Sequence, residues 1–193
     1  SRHQPDPLKA SCEAERKGVV ARIVLTKPDI DRALTRIGHE IVESQRGRTG
    51  LVFLGIPTRG VFLAKRLADI VSRIEPQHIE VGTLDVTMYR DDIQQKSTRA
   101  TAPTDIPASG IDNTTVILVD DVLYSGRTVR AALDAITALG RPDVVRFAVL
   151  VDRGHRELPI RADFVGKNLP SAVDERVNVS LTEIDGTDEV SIA

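Results

Sequence analysis

Apolar runs alternate with amphipathic segments along most of the chain. The apolar runs have the length and the β-branched content of buried strands, and we predict strands at 19–25, 51–56, 79–88, 116–120 and 144–151. The segments between them repeat apolar side chains at helical spacing, which predicts helices at 28–46, 61–74 and 128–139. Strands that alternate with helices are typical of an α/β fold with an open, mostly parallel, twisted sheet that helices cover on both faces.

The first predicted helix has one apolar face and one basic face. Its apolar residues recur every three or four positions, which places them on one side: Ile30, Leu34, Ile37 and Ile41. The opposite side carries basic side chains with Thr35 beside them: Arg32, Arg36, His39 and Arg46. A solvated outer face explains this pattern in most helices. Because only Glu43 interrupts the basic row, an anionic partner stays open as a second interpretation.

Three stretches fall outside this pattern. Residues 1–18 are polar and predict a frayed, flexible N-terminal extension. Residues 90–112 are polar, and a stretch of that length inside a compact domain predicts either a lid over a site or disorder. From residue 153 to about 175 the chain is irregular, and we predict a small subdomain over the carboxyl edge of the sheet. Strand-like pieces at 176–181 and 189–193 would close it.

Composition narrows the class of protein. A chain of 193 residues with 41% hydrophobic and 28% charged side chains predicts one globular domain. No apolar run approaches the roughly 18 residues that a membrane helix needs, and residues 1–18 lack the apolar centre of a signal peptide. Cys12 is the single cysteine, which excludes an intrachain disulfide and a cysteine-based zinc site. We therefore expect a cytoplasmic protein.

Charge is distributed unevenly along the sequence. The net charge is −2, yet residues 1–73 carry 14 Lys or Arg against 8 Asp or Glu. Near-neutrality argues against general nucleic-acid binding, whereas a local basic face could still bind a phosphate backbone. Arginine predominates among the basic residues and suits bidentate phosphate contacts, although genome base composition can produce the same bias.

The segment from Val116 to Thr128 carries the most informative chemistry. A buried strand ends in Asp120 and Asp121, and a short loop and a helix follow. The hydroxyls of Ser125 and Thr128, the loop N–H groups and the helix start together predict an anion cradle at the carboxyl end of a strand. The two carboxylates would repel a phosphate, so they should face sugar hydroxyls or a hydrated Mg²⁺. This combination predicts a sugar phosphate as ligand.

Two other nucleotide motifs are absent from the sequence. The pattern of an apolar strand ending in Asp also occurs in P-loop nucleotidases, but those need G-x-x-x-x-G-K-[ST], which does not occur here. The dinucleotide-binding pattern G-x-G-x-x-G is missing as well.

The segment 116–128 resembles the signature with which type I phosphoribosyltransferases bind 5-phosphoribosyl diphosphate (PRPP). Three further segments, 55–60, 85–92 and 151–163, resemble a family of bacterial pyrimidine operon regulators that double as uracil phosphoribosyltransferases. The resemblance runs from about residue 19 to the C-terminus. It implies the type I phosphoribosyltransferase fold with a small hood subdomain at about 153–175 and a lid at about 90–112.

The resemblance also implies a role for each matched position. Asp120 and Asp121 would hold the ribose hydroxyls, and Arg59 and Arg90 would neutralise the departing pyrophosphate, with Mg²⁺ bound through PRPP and no direct metal ligand on the protein. Thr58–Arg59 would be the non-proline cis peptide that the pyrophosphate loop of this family often contains. The full set of PRPP-binding positions would be Thr58, Arg59, Gly60, Val116, Ile117, Leu118, Val119, Asp120, Asp121, Val122, Leu123, Tyr124, Ser125, Gly126, Arg127 and Thr128. Backbone groups at Val165, Gly166 and Lys167 would recognise uracil.

The same resemblance implies a second activity. A regulator of this family would bind leader mRNA of pyrimidine biosynthetic genes when UMP or UTP fills the site, as a homodimer or higher homo-oligomer. Candidate RNA contacts are Arg32, Thr35, Arg36, His39, Arg46, Arg141, Arg146, Arg153, Arg156 and Arg161. The alternative is a phosphoribosyltransferase for another base, a purine or orotate, without regulatory RNA binding.

Overall fold

Two β-sheets organise the chain. The computed structural model describes residues 20–48, 50–91 and 103–193. The larger sheet is fully parallel, in the order β3-β2-β4-β5-β6: β2 (Leu51–Gly55), β3 (Ile79–Thr83), β4 (Thr115–Leu123), β5 (Val144–Asp152) and β6 (Phe164–Asn168). The smaller sheet is antiparallel, in the order β1-β8-β7: β1 (Arg22–Leu25), β7 (Val177–Ser180) and β8 (Glu189–Ile192).

Helices connect these strands. They are α1 (Lys27–Ser44), α2 (Arg59–Ile74), α3 (Arg127–Leu139) and the short α4 (Thr182–Asp185), with a 3₁₀ turn at Thr87–Tyr89. Helix α1 begins where the Thr26 N–H and hydroxyl both donate to the Asp29 carboxylate, at 2.9 and 2.7 Å. That arrangement satisfies polar groups at the helix start, as in a capping box.

The core lies on both faces of the large sheet. On one face Phe53 and Ile117 pack with α1, α2 and the smaller sheet. On the other face Leu54 and Leu118 pack with α3. Neighbouring strand residues thus point to opposite faces, and both faces bury apolar side chains, as expected for a parallel sheet. The predicted α/β fold with a doubly covered parallel sheet is confirmed.

Residues 164–168 differ from the prediction. They were expected to be irregular but form the edge strand β6, in which Phe164 pairs with Ala148 and Lys167 with Val151. The ladder to β5 supplies the hydrogen bonds that hold this segment, and such long-range pairing leaves little trace in a five-residue pattern. The segment 79–88 is a strand only as far as Thr83, after which it turns toward the 3₁₀ turn.

The smaller sheet joins the two ends of the described chain. Strand β8 lies between β1 and β7, so the predicted closing strands pair with the first strand as well as with each other. The predicted extension at 1–18 and the central part of the predicted lid, residues 92–102, lie outside the described residues. Among the helices described, none has the length and hydropathy that a membrane crossing requires.

Candidate active site

Two adjacent carboxylates stand inside strand β4, near its carboxyl end. The strand continues to Leu123, so both acids belong to it rather than to the loop beyond. Asp120 is buried and Asp121 half-buried. The Asp121 N–H donates to Asp120 Oδ1 at 2.9 Å, and the Val122 N–H donates to Asp121 Oδ1 at 2.7 Å. These bonds hold both carboxylates in place at the strand end.

The electrostatics of this pair are unusual. Burial raises the pKa of Asp120 well above its ordinary range, and the neighbouring charge of Asp121 raises it further, while Arg90 opposes the shift. A buried carboxyl beside a second carboxyl holds its proton more tightly, because two neighbouring negative charges repel each other and burial removes the water that would solvate them.

A loop and a helix start follow the carboxylates, as the sequence predicts. Gly126 has a φ of 92° and precedes the first residue of α3. That left-handed conformation suits glycine and lets the chain turn from strand into helix. Thr128 Oγ1 accepts a hydrogen bond of 3.1 Å from Arg90 Nη1. This bond joins the first residue of the predicted lid to the predicted phosphate loop. These residues border a cavity of about 490 Å³.

The predicted pyrophosphate loop lies directly beside the carboxyl end of β4. The Ile56 N–H donates to the Val119 carbonyl at 2.9 Å. A Cβ on Gly60 would collide with that carbonyl and come within 3.3 Å of Asp120 Cα. Residues 56–60 and the two carboxylates therefore form one contiguous site.

The cis peptide of this loop is one bond earlier than expected. The non-proline cis bond is Pro57–Thr58, not Thr58–Arg59. Helix α2 begins at Arg59. The bond into the helix is therefore trans, as helical geometry requires.

Arg59 is held by a residue that the sequence analysis missed. Its Nη2 donates to both carboxylate oxygens of Asp185 in α4, at 3.0 and 3.2 Å. Asp185 lies 126 residues further along the chain. The acidic character of residues 183–189 was visible in the sequence, but nothing there pairs it with Arg59.

Arg127 connects the phosphate loop to both neighbouring segments. Its Nε donates to Glu157 at 2.6 Å and its Nη1 to Asp91 at 2.8 Å. These contacts, chiefly the bond to Glu157, raise the pKa of the guanidinium. The charge of this predicted phosphate ligand is thus already balanced by two carboxylates.

The predicted base-recognition residues lie on β6 beside a large cavity. Val165 helps to line a space of about 890 Å³ formed by residues 152–171. Arg153 lies over the Tyr124 ring with its Cζ 4.4 Å from the ring centroid, which joins this region to the phosphate loop. On the α1 side, Arg36 Nη2 donates to the carbonyls of Val165 and Gly166.

The predicted RNA-binding residues separate into two groups. Arg153 is buried, and its Nε and Nη2 donate to Ser171 Oγ and the Ala172 carbonyl at 2.9 Å each. Arg156 donates to the carbonyls of Tyr124 and Ile160 and to the Asp152 carboxylate. These two arginines bind internal acceptors and brace the loops, which the sequence analysis did not foresee because their partners are mostly backbone carbonyls.

The remaining candidates lie nearer to solvent. Arg146 is half-buried, with its Nη1 3.7 Å from Asp163 Oδ1. The rest are exposed: Arg32, Thr35, Arg36, His39, Arg46, Arg141 and Arg161. Four of these exposed residues lie on the outer face of α1, and Arg46 follows two residues after the helix ends at Ser44. Arg32 and Arg46 pair with acidic residues three positions away, at 2.5 and 2.9 Å. The basic row on α1 is therefore partly neutralised within the helix.

Comparisons with known proteins identify the family of this chain. The family model of the phosphoribosyl transferase domain matches residues 22–183. The chain is 63% identical over 179 residues to Bifunctional protein PyrR of Leifsonia xyli, a match that covers 90% of this chain and 97% of that protein. Proteins of the same name from Streptomyces coelicolor and Bacillus cereus are 62% and 56% identical, over 88% of this chain each and 88% and 96% of those proteins.

Solved structures share the fold at low sequence identity. The hypoxanthine phosphoribosyltransferase of Trypanosoma cruzi has a TM-score of 0.67 at 15% identity, covering 89% of this chain and 95% of that chain. That of Staphylococcus aureus has a TM-score of 0.65 at 21% identity, covering 88% and 90%.

Proposed function

Because the chain belongs to the phosphoribosyltransferase family and, within it, to the bifunctional PyrR proteins, we propose that it converts uracil and PRPP to UMP and pyrophosphate and also binds pyrimidine leader mRNA. One observation carries the enzymatic part. The Gly60 loop packs against the strand end that bears Asp120 and Asp121, and the glycine turn into α3 follows within a few residues. The pyrophosphate of PRPP would thus contact the Gly60 loop, its ribose the two carboxylates, and its 5′-phosphate the turn into α3.

The ribose and its phosphate would bind along β4 and α3. The hydroxyls of Ser125 and Thr128 and the first N–H groups of α3 would hold the 5′-phosphate. Asp121 would accept from a ribose hydroxyl. Because Asp120 holds its proton more tightly than an ordinary carboxyl, it could donate one of the hydrogen bonds at the same sugar.

The chemical step is displacement of pyrophosphate at the anomeric carbon of PRPP by a uracil nitrogen. Its transition state has oxocarbenium character and a strongly anionic leaving group, so the protein's task is to stabilise separated charge. Arg59 and Arg90 would neutralise the departing pyrophosphate. A lid at 90–112 would exclude water and so suppress hydrolysis of PRPP.

Magnesium fits this arrangement through the substrate. The two carboxylates at the end of β4 could accept hydrogen bonds from the waters of a hydrated Mg²⁺ that PRPP carries. Within the described ranges no group of three or more His, Cys, Asp or Glu side chains could form a complete metal cage. We propose that Mg²⁺ binds through PRPP and takes its ligands from PRPP and water, with no direct ligand on the protein. When bound it would lower the charge that the leaving pyrophosphate carries.

Uracil is the proposed base, and a substrate panel tests it. Purified protein would be incubated with Mg²⁺, PRPP and uracil, hypoxanthine, guanine or orotate in turn, with pyrophosphate release as readout. Uracil should turn over and the others should not. Asp121→Asn and Arg59→Ala should each abolish UMP formation, and unchanged turnover in either variant would refute the assigned site. Turnover with a purine or orotate alone would favour the alternative base specificity.

The regulatory proposal places RNA on the outer face of α1. A uridine nucleotide that bound the RNA-competent form more tightly would, by linkage, raise RNA affinity by the same factor. The exposed candidates there are the natural phosphate contacts, and Arg141 and Arg161 extend the set. Leader RNA binding would be measured with and without UMP at several salt concentrations, because phosphate contacts set the salt slope. An affinity that UMP leaves unchanged would contradict the proposal.

Assembly and location complete the proposal. We propose a homodimer or higher homo-oligomer acting in the cytoplasm, where PRPP, uridine nucleotides and mRNA occur together. Light scattering of the purified protein tests the assembly directly. A single species at the mass of one 21.1 kDa chain would contradict it.

A further inference from the structure

Arg59 meets the smaller sheet at the point where the pyrophosphate loop becomes helix α2. As the first residue of α2, it stands next to Gly60, which packs on the Val119 carbonyl. Its guanidinium nevertheless turns toward Asp185 at the end of α4. One ion pair thus joins Arg59, in the candidate active site, to the carboxylate of Asp185, which is distant in sequence.

Asp185 is itself held firmly. The Leu181 N–H donates to Asp185 Oδ2 at 2.8 Å. This backbone bond and then the Arg59 contact lower the pKa of Asp185, so the group is a charged acceptor near neutral pH. A carboxylate fixed by its own helix can fix the orientation of a guanidinium that binds it.

Only one nitrogen of Arg59 is used by this pair. Nη2 makes both contacts with Asp185. The Nε–H is buried and has no acceptor among residues 20–48, 50–91 and 103–193. A guanidinium offers five N–H donors in a planar fork, so the two Nη1 donors stay available while Nη2 is anchored.

We infer that Asp185 is a positioning residue: it anchors Nη2 of Arg59 and leaves the Nη1 donors for the pyrophosphate of PRPP. This inference rests on the proposed function. A long, flexible arginine loses rotamer freedom when it binds an anion. Because Asp185 imposes that order in advance, PRPP binding is tighter than it would be with a mobile Arg59.

Glu183, two residues earlier in α4, provides a matched control. It pairs with Arg66 of α2, at 2.8 and 2.5 Å, and has no contact with Arg59. Arg66 also binds Asp188 at 2.9 Å, so it keeps an anchor to the smaller sheet when Glu183 is removed. Glu183→Ala and Asp185→Ala therefore remove the same charge from the same short helix, but only the second frees Arg59.

The test is calorimetric binding of two probes, Mg²⁺·PRPP and UMP, to the full chain. UMP carries the 5′-phosphate and the ribose but no pyrophosphate. Asp185→Ala should weaken Mg²⁺·PRPP binding about fivefold to tenfold, the effect of losing one charge-assisted contact, and leave UMP affinity unchanged. Asp185→Asn keeps one oxygen acceptor and should be intermediate. Glu183→Ala should bind both probes as the unmodified chain does.

A double variant shows whether Asp185 acts through Arg59. Arg59→Ala should weaken Mg²⁺·PRPP binding more than Asp185→Ala, and the combined variant should bind no more weakly than Arg59→Ala alone. Additive losses, an equal loss of UMP affinity, or unchanged Mg²⁺·PRPP affinity in folded Asp185→Ala and Asp185→Asn would overturn the inference while leaving the proposed function standing. If the unmodified chain binds neither probe, both are overturned.

Discussion

Arg36 Nη2 on α1 lies 2.6 Å from the carbonyl oxygen of Gly166 on β6, which comes 130 residues later. The same nitrogen donates to the Val165 carbonyl at 3.0 Å. The outer face of α1 is the proposed RNA surface, and Val165 and Gly166 belong to the proposed uracil segment. Arg36 therefore contacts the proposed RNA surface and the proposed uracil segment at once, so a structural change in one can alter the other through this side chain.

Arg36→Ala should impair base recognition as well as RNA binding. Removing a charged donor from two carbonyls loosens β6, so we expect the KM for uracil to rise about threefold to tenfold at unchanged PRPP KM. Steady-state kinetics with each substrate varied in turn measures this. A variant that lost RNA affinity but kept the uracil KM would show that the contact does not support the base segment.

Arg32→Ala is the matched control on the same helix face. Arg32 pairs with Asp29 within α1 and makes no hydrogen bond or ion pair with β6. Its loss should leave the uracil KM unchanged. A similar rise in both variants would point to the charge of α1 rather than to the Arg36 contact.

Gly60→Ala tests the contact between the pyrophosphate loop and β4. The new Cβ would displace the loop from Val119 and Asp120, so we expect a loss of about 1–3 kcal/mol in stability and a raised PRPP KM. Chemical denaturation and kinetics give the two quantities. Gly47→Ala, where a Cβ has no atom within 4 Å, should leave PRPP binding intact. Normal PRPP affinity in folded Gly60→Ala would contradict the close packing.

Asp120→Asn should stabilise the ligand-free protein while removing activity. An unfolded Asp ionises near pH 4, whereas burial and Asp121 keep Asp120 protonated to higher pH in the folded state. The folded state then binds more protons between those two pH values, so stability falls as pH rises through that range. The melting temperature of Asp120→Asn should exceed that of the unmodified protein, and the gap should widen from pH 4 toward neutrality.

Asp134→Asn serves as the comparison for that pH series. Asp134 is exposed on α3, so its replacement removes a carboxylate without removing a buried one. Its melting temperature should follow that of the unmodified protein at every pH. A widening gap of the same size in this variant would refute burial as the cause.

Arg66→Ala should loosen the smaller sheet in a pH-dependent way. The Asp188 side chain is only 2% exposed, so removing its partner leaves a buried charge and should cost about 3–5 kcal/mol near neutral pH. Arg66 holds the pKa of Asp188 well below its usual range. That stabilisation is present above pH 4 and is lost as pH falls. The difference in free energy of unfolding between Arg66→Ala and the unmodified protein should therefore shrink in acid.

Arg73→Ala is the control for this ion pair. Arg73 is exposed on the same helix, and its Nε donates only to the Asp69 carbonyl, at 3.3 Å. Denaturation curves for Arg73→Ala should lie within about 0.5 kcal/mol of the unmodified protein at all pH values. An equal loss in both variants would show that α2 is sensitive to any arginine change.

The sequence predicted the parts of the site that are local in the chain. The strand with Asp120 and Asp121, the Gly126 turn and the start of α3 follow one another within thirteen residues, from 116 to 128, and each has its own pattern. Periodicity and turn chemistry act over such distances. The role of the loop at 56–60 was implied instead by the resemblance of segment 55–60 to the family.

The parts that were missed depend on long-range pairing. Strand β6 exists because β5 offers it a ladder, and Asp185 reaches Arg59 only after the smaller sheet has formed. Arg153 and Arg156 look like surface residues by type, yet backbone carbonyls of neighbouring loops satisfy them. Residue type alone cannot reveal acceptors that the fold supplies.

Strand β8 lies in the middle of the three-stranded sheet, although it comes after both of its neighbours in the sequence. Until residues 189–192 are made, β1 and β7 have no common partner. Loss of the pairing along residues 189–192 would therefore release both outer strands together. A substitution in this one strand acts on two others at once, at a place outside the candidate active site.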